Sequence, residues 1–181
     1  MSGISFIPPR LERLDDQPPG GLLGMFRFER RNPLVGVASL VDWRLLGHLS
    51  KLVIEGFLTG ADGESVLVPL GARMPHDHLV IQGLGDPDTL TRRSFEGAIG
   101  RLLSCAASLG HRDITLTLPG RPEGAYETSD AVEHFLSVYD RIGKDMPITI
   151  IETPGAQKAM LPAVERWRLK NSVPPEPAAG S

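Results

Sequence analysis

The chain has 181 residues, 41% hydrophobic and 23% charged, which fits one ordinary globular domain with enough length to bury a real core. Its formal net charge of -3 lacks the basic surplus of a nucleic-acid-binding specialist. No apolar run reaches the ~18 residues a spanning helix needs, and Cys105, the only cysteine, excludes an internal disulfide.

The start, Met1-Ser2-Gly3-Ile4-Ser5, has neither a basic opening nor a long apolar segment, so no signal peptide is expected. With the lone cysteine, this suits a cytoplasmic protein. Residues 1–21 carry Pro8-Pro9 and Pro18-Pro19-Gly20-Gly21 and read as an extended lead-in. Strands are expected at 22–28 and 34–40, joined through Asn32-Pro33 as a hairpin or edge pair. A helix should open at Asp42, whose carboxylate can cap free N–H groups, with Val41 and Leu46 spaced as a hydrophobic staple. Its buried stripe would be Leu45, Leu46, Leu49, Leu52 and Val53, ended by Gly56. Strands follow at 65–70 and 79–82. A long helix at 89–109 places Phe95, Ala98, Ile99, Leu102, Leu103, Ala106 and Leu109 on one face, and Gly110 ends it. A strand at 114–118 precedes a helix at 129–142 that turns Val132, Phe135, Leu136, Tyr139 and Ile142 inward. A strand at 147–152 leads to a last helix capped by Thr153-Pro154, which Pro162 should kink or break. Residues 171–181 are too polar and proline-rich to pack, so the expected folded body is 22–170 and the end a disordered tail. Strand–helix alternation predicts an α/β protein with a mixed, mostly parallel sheet between helical layers.

Several segments carry candidate chemistry. Gly83-Leu84-Gly85 ends a buried strand, where glycines let backbone N–H groups approach an anion. Asp86 and Asp88 oppose negative charge there, and a tight turn explains the glycines equally. Gly120 and Arg121 lie at another strand end, and Thr153-Pro154-Gly155 at a third, so they could share one rim. Arg121 is the cation placed to meet an anionic ligand. Asp42-Trp43-Arg44 joins two of the residue types most enriched at binding hot spots. An arginine so near a helix start gains nothing from the dipole, so a specific partner is expected for Arg44: Asp42, Glu55 or a second chain. His76 and His78 would share a strand face as metal ligands do, but a zinc site needs three or four, and a polar loop is the simpler reading. His48, His111 and His134 show no evident partners, and Cys105 fits a small buried hydrophobe. Arg27, Arg30 and Arg31 form the only local basic cluster.

The order Asp42-Trp43-Arg44, amphipathic helix, Gly56-Phe57-Leu58-Thr59-Gly60, strand, then Leu79-Val80-Ile81-Gln82-Gly83-Leu84-Gly85 resembles the amino-terminal domain of the leucyl aminopeptidase family. The resemblance covers residues 22–155 and is clearest over 42–110. It implies a three-layer α/β/α macro-like fold. That family builds its two-metal site from lysine, aspartate and glutamate residues of a second, carboxy-terminal domain, including an Asn-Thr-Asp-Ala-Glu-Gly-Arg motif that this sequence lacks. No catalytic or metal residue carries over, and no cofactor is implied. In full-length relatives the amino-terminal domain helps hexamer assembly and shapes access to the active site, and some bacterial relatives bind DNA.

The expected function is therefore non-catalytic: binding of a protein partner or self-assembly, with Asp42, Trp43 and Arg44 as the candidate surface. The alternative is a nucleotide or other phosphate compound bound at Gly83, Leu84, Gly85, Gly120 and Arg121. Nucleic-acid binding is a distant third reading.

Overall fold

The computed structural model describes residues 3–143 and 146–172. Strand β2 (Leu22–Arg27) is buried at every position, as a parallel strand covered on both faces should be. Five further strands complete one sheet: β1 (Ile4–Ile7), β3 (Ser65–Pro69), β4 (His78–Gly83), β5 (Ile114–Leu116) and β6 (Ile148–Ile151). Their order is β1-β6-β5-β2-β4-β3, parallel throughout except that β3 runs antiparallel to β4. This is the mixed, mostly parallel sheet expected from the sequence.

Alternate strand residues face two separate cores. Leu22, Phe26, Val80, Ile114, Leu116, Ile148 and Ile150 pack with α4 (Arg92–Ser108), α5 (Thr128–Val138) and α6 (Pro154–Ser172). Leu23, Met25, Leu79, Ile81 and Ile151 pack on the other side with α1 (Leu11–Asp15), α2 (Val37–Arg44) and α3 (His48–Ile54). Gly24 makes the first contact close: a Cβ there would lie 2.4 Å from Leu102 of α4.

Four local expectations are corrected. The supposed lead-in is part of the fold, because β1 pairs with β6 and Leu14 of α1 is fully buried. The strand expected at 34–40 is instead a loop running into α2, so no hairpin forms at Asn32-Pro33. The single helix expected from Asp42 is two helices meeting at a turn, where Leu46 takes a positive φ of 58° and Gly47 one of 79°. That turn turns Leu46 out to solvent at 77% exposure, so it joins neither a staple nor the buried stripe. Helix α6 runs unbroken through Pro162, held on both sides of it by buried Met160, Ala163 and Val164.

Two smaller shifts lie at helix ends. After α5 the backbone widens into a π turn over Tyr139–Gly143. The wider turn keeps Tyr139 fully buried, its hydroxyl donating to the Met146 carbonyl at 2.8 Å, but rotates Ile142 outward. Leu109, just past α4, is likewise partly exposed. At its start α4 carries a reciprocal cap between Thr91 and Ser94. Of the expected tail, Asn171 and Ser172 end α6, and the rest lies outside the described residues. No described helix is long and apolar enough to cross a membrane.

Candidate functional site

The chain leaves β2 toward β4 on one side and returns to β5 on the other. The carboxyl ends of β2, β5 and β6 therefore flank the reversal point where open α/β sheets bind ligands. A cleft of about 160 Å³ lies there, lined by Gly36, Val37, Thr117, Arg121, Glu152 and Thr153 among others. Arg121 Nε donates to Glu152 Oε2 at 2.9 Å, and Nη1 donates to the Tyr126 carbonyl at 2.7 Å. Glu152 Oε1 accepts from the Thr153 N–H at 2.9 Å. The pair is largely buried and fixes the loop after β5 to the end of β6.

Beside the cleft, β2 ends in a buried cation. Arg27 donates from Nη1 to the Arg31 carbonyl and from Nη2 to Asn32 Oδ1, both at 2.8 Å. Burial lowers its affinity for the proton, while Glu64 and Glu123 partly restore it. Glu123 has an Oε2 with no hydrogen-bond partner among the described residues. Burial pushes its carboxyl above the ordinary range, against its own backbone N–H and the charges of Arg31 and Arg27. The space between them is about 20 Å³ and mostly apolar-walled, room for about one water.

The residues expected to share a ligand rim do not all meet. Arg121 and Thr153 line the cleft, but Gly83, Leu84, Gly85 and Gly120 are absent from its lining. The three N–H groups of Gly83, Leu84 and Gly85 donate to the carbonyls of Glu64, Arg27 and Gly60 at 2.8, 2.9 and 2.8 Å. They are committed within the fold, so they offer an anion nothing. Gly83 is glycine for space: a Cβ would sit 1.8 Å from the Ala61 carbonyl oxygen. Gly120 turns the chain with a φ of 70°, and a Cβ there would meet Leu90 at 2.8 Å. Glu152, Thr117 and Gly36 were not singled out in the sequence. Glu152 did carry a signal, as an acid closing the apolar run Ile148-Thr149-Ile150-Ile151.

The Asp42-Trp43-Arg44 segment divides into three roles. Asp42 caps α3 rather than a helix of its own, accepting from the Ser50 N–H at 3.0 Å and from the Ser50 hydroxyl. Arg44 pairs with the Asp15 carboxylate, tying α2 to α1. Within the chain its partner is thus Asp15 rather than Asp42 or Glu55. Trp43 is left 71% exposed. Around the same two helices Leu46, Ile54 and Phe57 are also exposed, at 77%, 84% and 67%.

At the opposite end of the sheet, His78 Nδ1 and His111 Nε2 lie 3.0 Å apart. His76 is buried rather than part of an open polar loop, and neither ring nitrogen has a hydrogen-bond partner among the described residues. Burial holds its pKa below the ordinary histidine value, against the pull of Asp113 and Asp77. His134 also has a partner, the Tyr126 hydroxyl at 2.8 Å. Among the described residues no three His, Cys, Asp or Glu side chains gather as metal ligands.

The sequence profile of the cytosol aminopeptidase family, N-terminal domain, matches residues 22–139. The chain belongs to this family. The chain is 28% identical over 85 residues to a probable cytosol aminopeptidase of Pseudomonas syringae pv. tomato, covering 47% of this chain and 17% of that protein. A probable cytosol aminopeptidase of Cyanothece sp. is 30% identical over 116 residues, 58% of this chain and 24% of that one. The match thus spans less than a quarter of the curated relatives' length. Among solved structures, a tomato leucine aminopeptidase variant superposes with a TM-score of 0.60 at 16% identity, over 91% of this chain and 36% of that one. The macrodomain of Mycobacterium tuberculosis DarG gives 0.62 at 15%, over 83% and 98%. A Trypanosoma brucei macrodomain in complex with ADP-ribose gives 0.66 at 18%, over 89% and 68%. At these identities the likeness establishes that the chain has the macrodomain-like fold.

Proposed function

We propose that this domain is a non-catalytic module of the cytoplasm that docks a protein partner through the outer face of α2 and α3. One observation carries the reading: Trp43 near the end of α2, Leu46 in the turn to α3, Ile54 at the end of α3 and Phe57 just beyond it are each exposed by two thirds or more. Single exposed apolar residues are ordinary, but a cluster of four large ones favours an interaction site. Tryptophan is also among the residues that dominate interface energetics. Arg44, being paired with Asp15, serves the scaffold rather than the partner. The test compares wild type with Trp43→Ala and Phe57→Asp by affinity capture and by mass in solution. Loss of assembly with unchanged melting supports the reading, and unchanged assembly in both variants removes it.

A second reading has its own observation, the 160 Å³ cleft with Arg121 in its wall at the strand ends. The Trypanosoma brucei neighbour is a complex with ADP-ribose. Ligand pockets usually span about 300–1,000 Å³, so this cleft suits a compact anionic group. Glu152 already neutralises Arg121, which favours weak affinity. Calorimetric titration with ADP-ribose and simple nucleotides tests it, and submicromolar binding makes the ligand reading the better one. Of the basic cluster, Arg27 is buried and committed, which leaves Arg30 and Arg31 as poor support for nucleic-acid binding.

Non-catalysis is testable directly. Purified chain with added zinc or manganese should show no chelator-sensitive hydrolysis of leucyl substrates, because Lewis-acid activation of water needs a preorganised metal site. Metal-dependent turnover free of contaminating peptidase would overturn it.

A further inference from the structure

We infer that the cleft at the carboxyl ends of β5 and β6 binds a small zwitterion, a free amino acid held by its carboxylate and its ammonium group at once. The inference rests on the ligand reading of that cleft and names the ligand class. Its first support is a polar side chain with no partner in the fold. Strand β5 turns Ile114 and Leu116 toward the α4 core, and Leu118 beyond it does the same. Thr117 therefore points to the opposite face, where α2 begins. It is only 3% exposed and lines the cleft, yet its hydroxyl has no hydrogen-bond partner among the described residues. A buried hydroxyl left without a partner costs free energy that a bound ligand recovers.

The cleft offers further donors beside it. Arg121 donates from Nε to Glu152 and from Nη1 to the Tyr126 carbonyl, which leaves Nη2 free among the described residues. Gly36 precedes α2 and has no side chain to cap the first N–H groups of that helix. Gly36 and Val37 both line the cleft. A carboxylate placed there meets N–H groups, a guanidinium edge and a hydroxyl. The same wall carries the opposite charge. Glu152 accepts one bond at each oxygen, from Arg121 at Oε2 and from the Thr153 N–H at Oε1. Each carboxylate oxygen has room for a second.

Charge balance then selects the ligand. Arg121 and Glu152 cancel, so a phosphate dianion is opposed by Glu152 and a plain cation by Arg121 and the start of α2. A zwitterion meets both, with its carboxylate toward α2 and Arg121 and its ammonium toward Glu152. The volume agrees: 160 Å³ is the share of about five waters, space for an amino acid of roughly six to nine non-hydrogen atoms.

The experiment titrates the full chain by calorimetry with alanine, N-acetylalanine, alanine amide, orthophosphate and ADP-ribose. Alanine should bind with a Kd below about 1 mM, and removing either charge, in N-acetylalanine or in alanine amide, should weaken binding roughly tenfold or more. Thr117→Val should weaken alanine binding and leave the melting temperature unchanged, because that hydroxyl bonds nothing in the fold. Glu152→Gln removes the negative charge, so it should weaken alanine and strengthen N-acetylalanine. N-acetylalanine or alanine amide binding wild type as tightly as alanine does overturns the proposal. So does an alanine affinity that Thr117→Val leaves unchanged. If orthophosphate or ADP-ribose binds and alanine does not, the zwitterion is excluded while a ligand in the cleft stands. If none of these compounds binds, both readings fall.

Discussion

Gly83 illustrates how a residue can look functional for a reason that is purely spatial. Its missing side chain admits the backbone of residues 60–61, and its N–H is spent on the Glu64 carbonyl. Gly83→Ala should therefore destabilise the fold by about 3 kcal/mol, the upper end for overpacking, whatever ligand is present. Urea denaturation would show it, and an unchanged midpoint would contradict the close packing. His76 makes a pH prediction. Burial lowers its folded pKa from 6.5, so the unfolded chain binds the proton more readily. Its contribution to stability is complete above that value and is lost as pH falls through 6.5 toward the depressed folded pKa. Asp113 and Asp77 limit the loss. Melting temperature measured from about pH 8 to about pH 5 should drop at the acid end, and His76→Gln should flatten part of the drop. An identical pH profile in the variant would assign the loss elsewhere.

At the scale of elements, the turn between α2 and α3 is decided by a cap that reaches across it. Asp42 sits near the end of α2 but satisfies the free Ser50 N–H of α3. Asp42→Ala should cost about 1 kcal/mol, the usual worth of a capping side chain, measurable by chemical denaturation. No change would mean the cap is replaceable by water. Helix α6 shows the opposite balance, in which packing overrides a local breaker. Pro162 lacks the N–H that a helix interior needs, yet buried Met160 and Val164 hold the turns before and after it. The π turn after α5 follows the same logic. A Cβ on Gly143 would come within 2.7 Å of the Tyr139 ring, so the glycine lets the widened turn close over the buried aromatic.

For the whole molecule, the question is where the cooperative unit begins. Removing residues 1–21 deletes β1, the edge partner of β6, and the fully buried Leu14. The loss should exceed the roughly 2–5 kcal/mol attached to a buried leucine. A shortened chain beginning at Leu22 should melt well below the full chain or fail to fold. Equal melting would restore the reading of this segment as a passive lead-in. The cleft and the exposed apolar residues share α2: Gly36 and Val37 at its start line the cleft, and Trp43 near its end is exposed.

The amino-acid sequence by itself determined the alternation of elements, the apolar faces of α4 and α5, the central buried strands and the family. Those features are periodic, and periodic burial is written locally in which residues are apolar. The sequence left open whether Arg44 had a partner within the chain, that Asp42 caps the next helix, and that the Gly83–Gly85 donors are already used. Each depends on groups brought together by the fold: Asp15 lies 29 residues before Arg44, and Glu64 lies 19 before Gly83. Only the tertiary structure could also turn Leu46 outward beside Trp43, Ile54 and Phe57. An apolar residue in a sequence shows how much it gains from leaving water, but not which surface covers it.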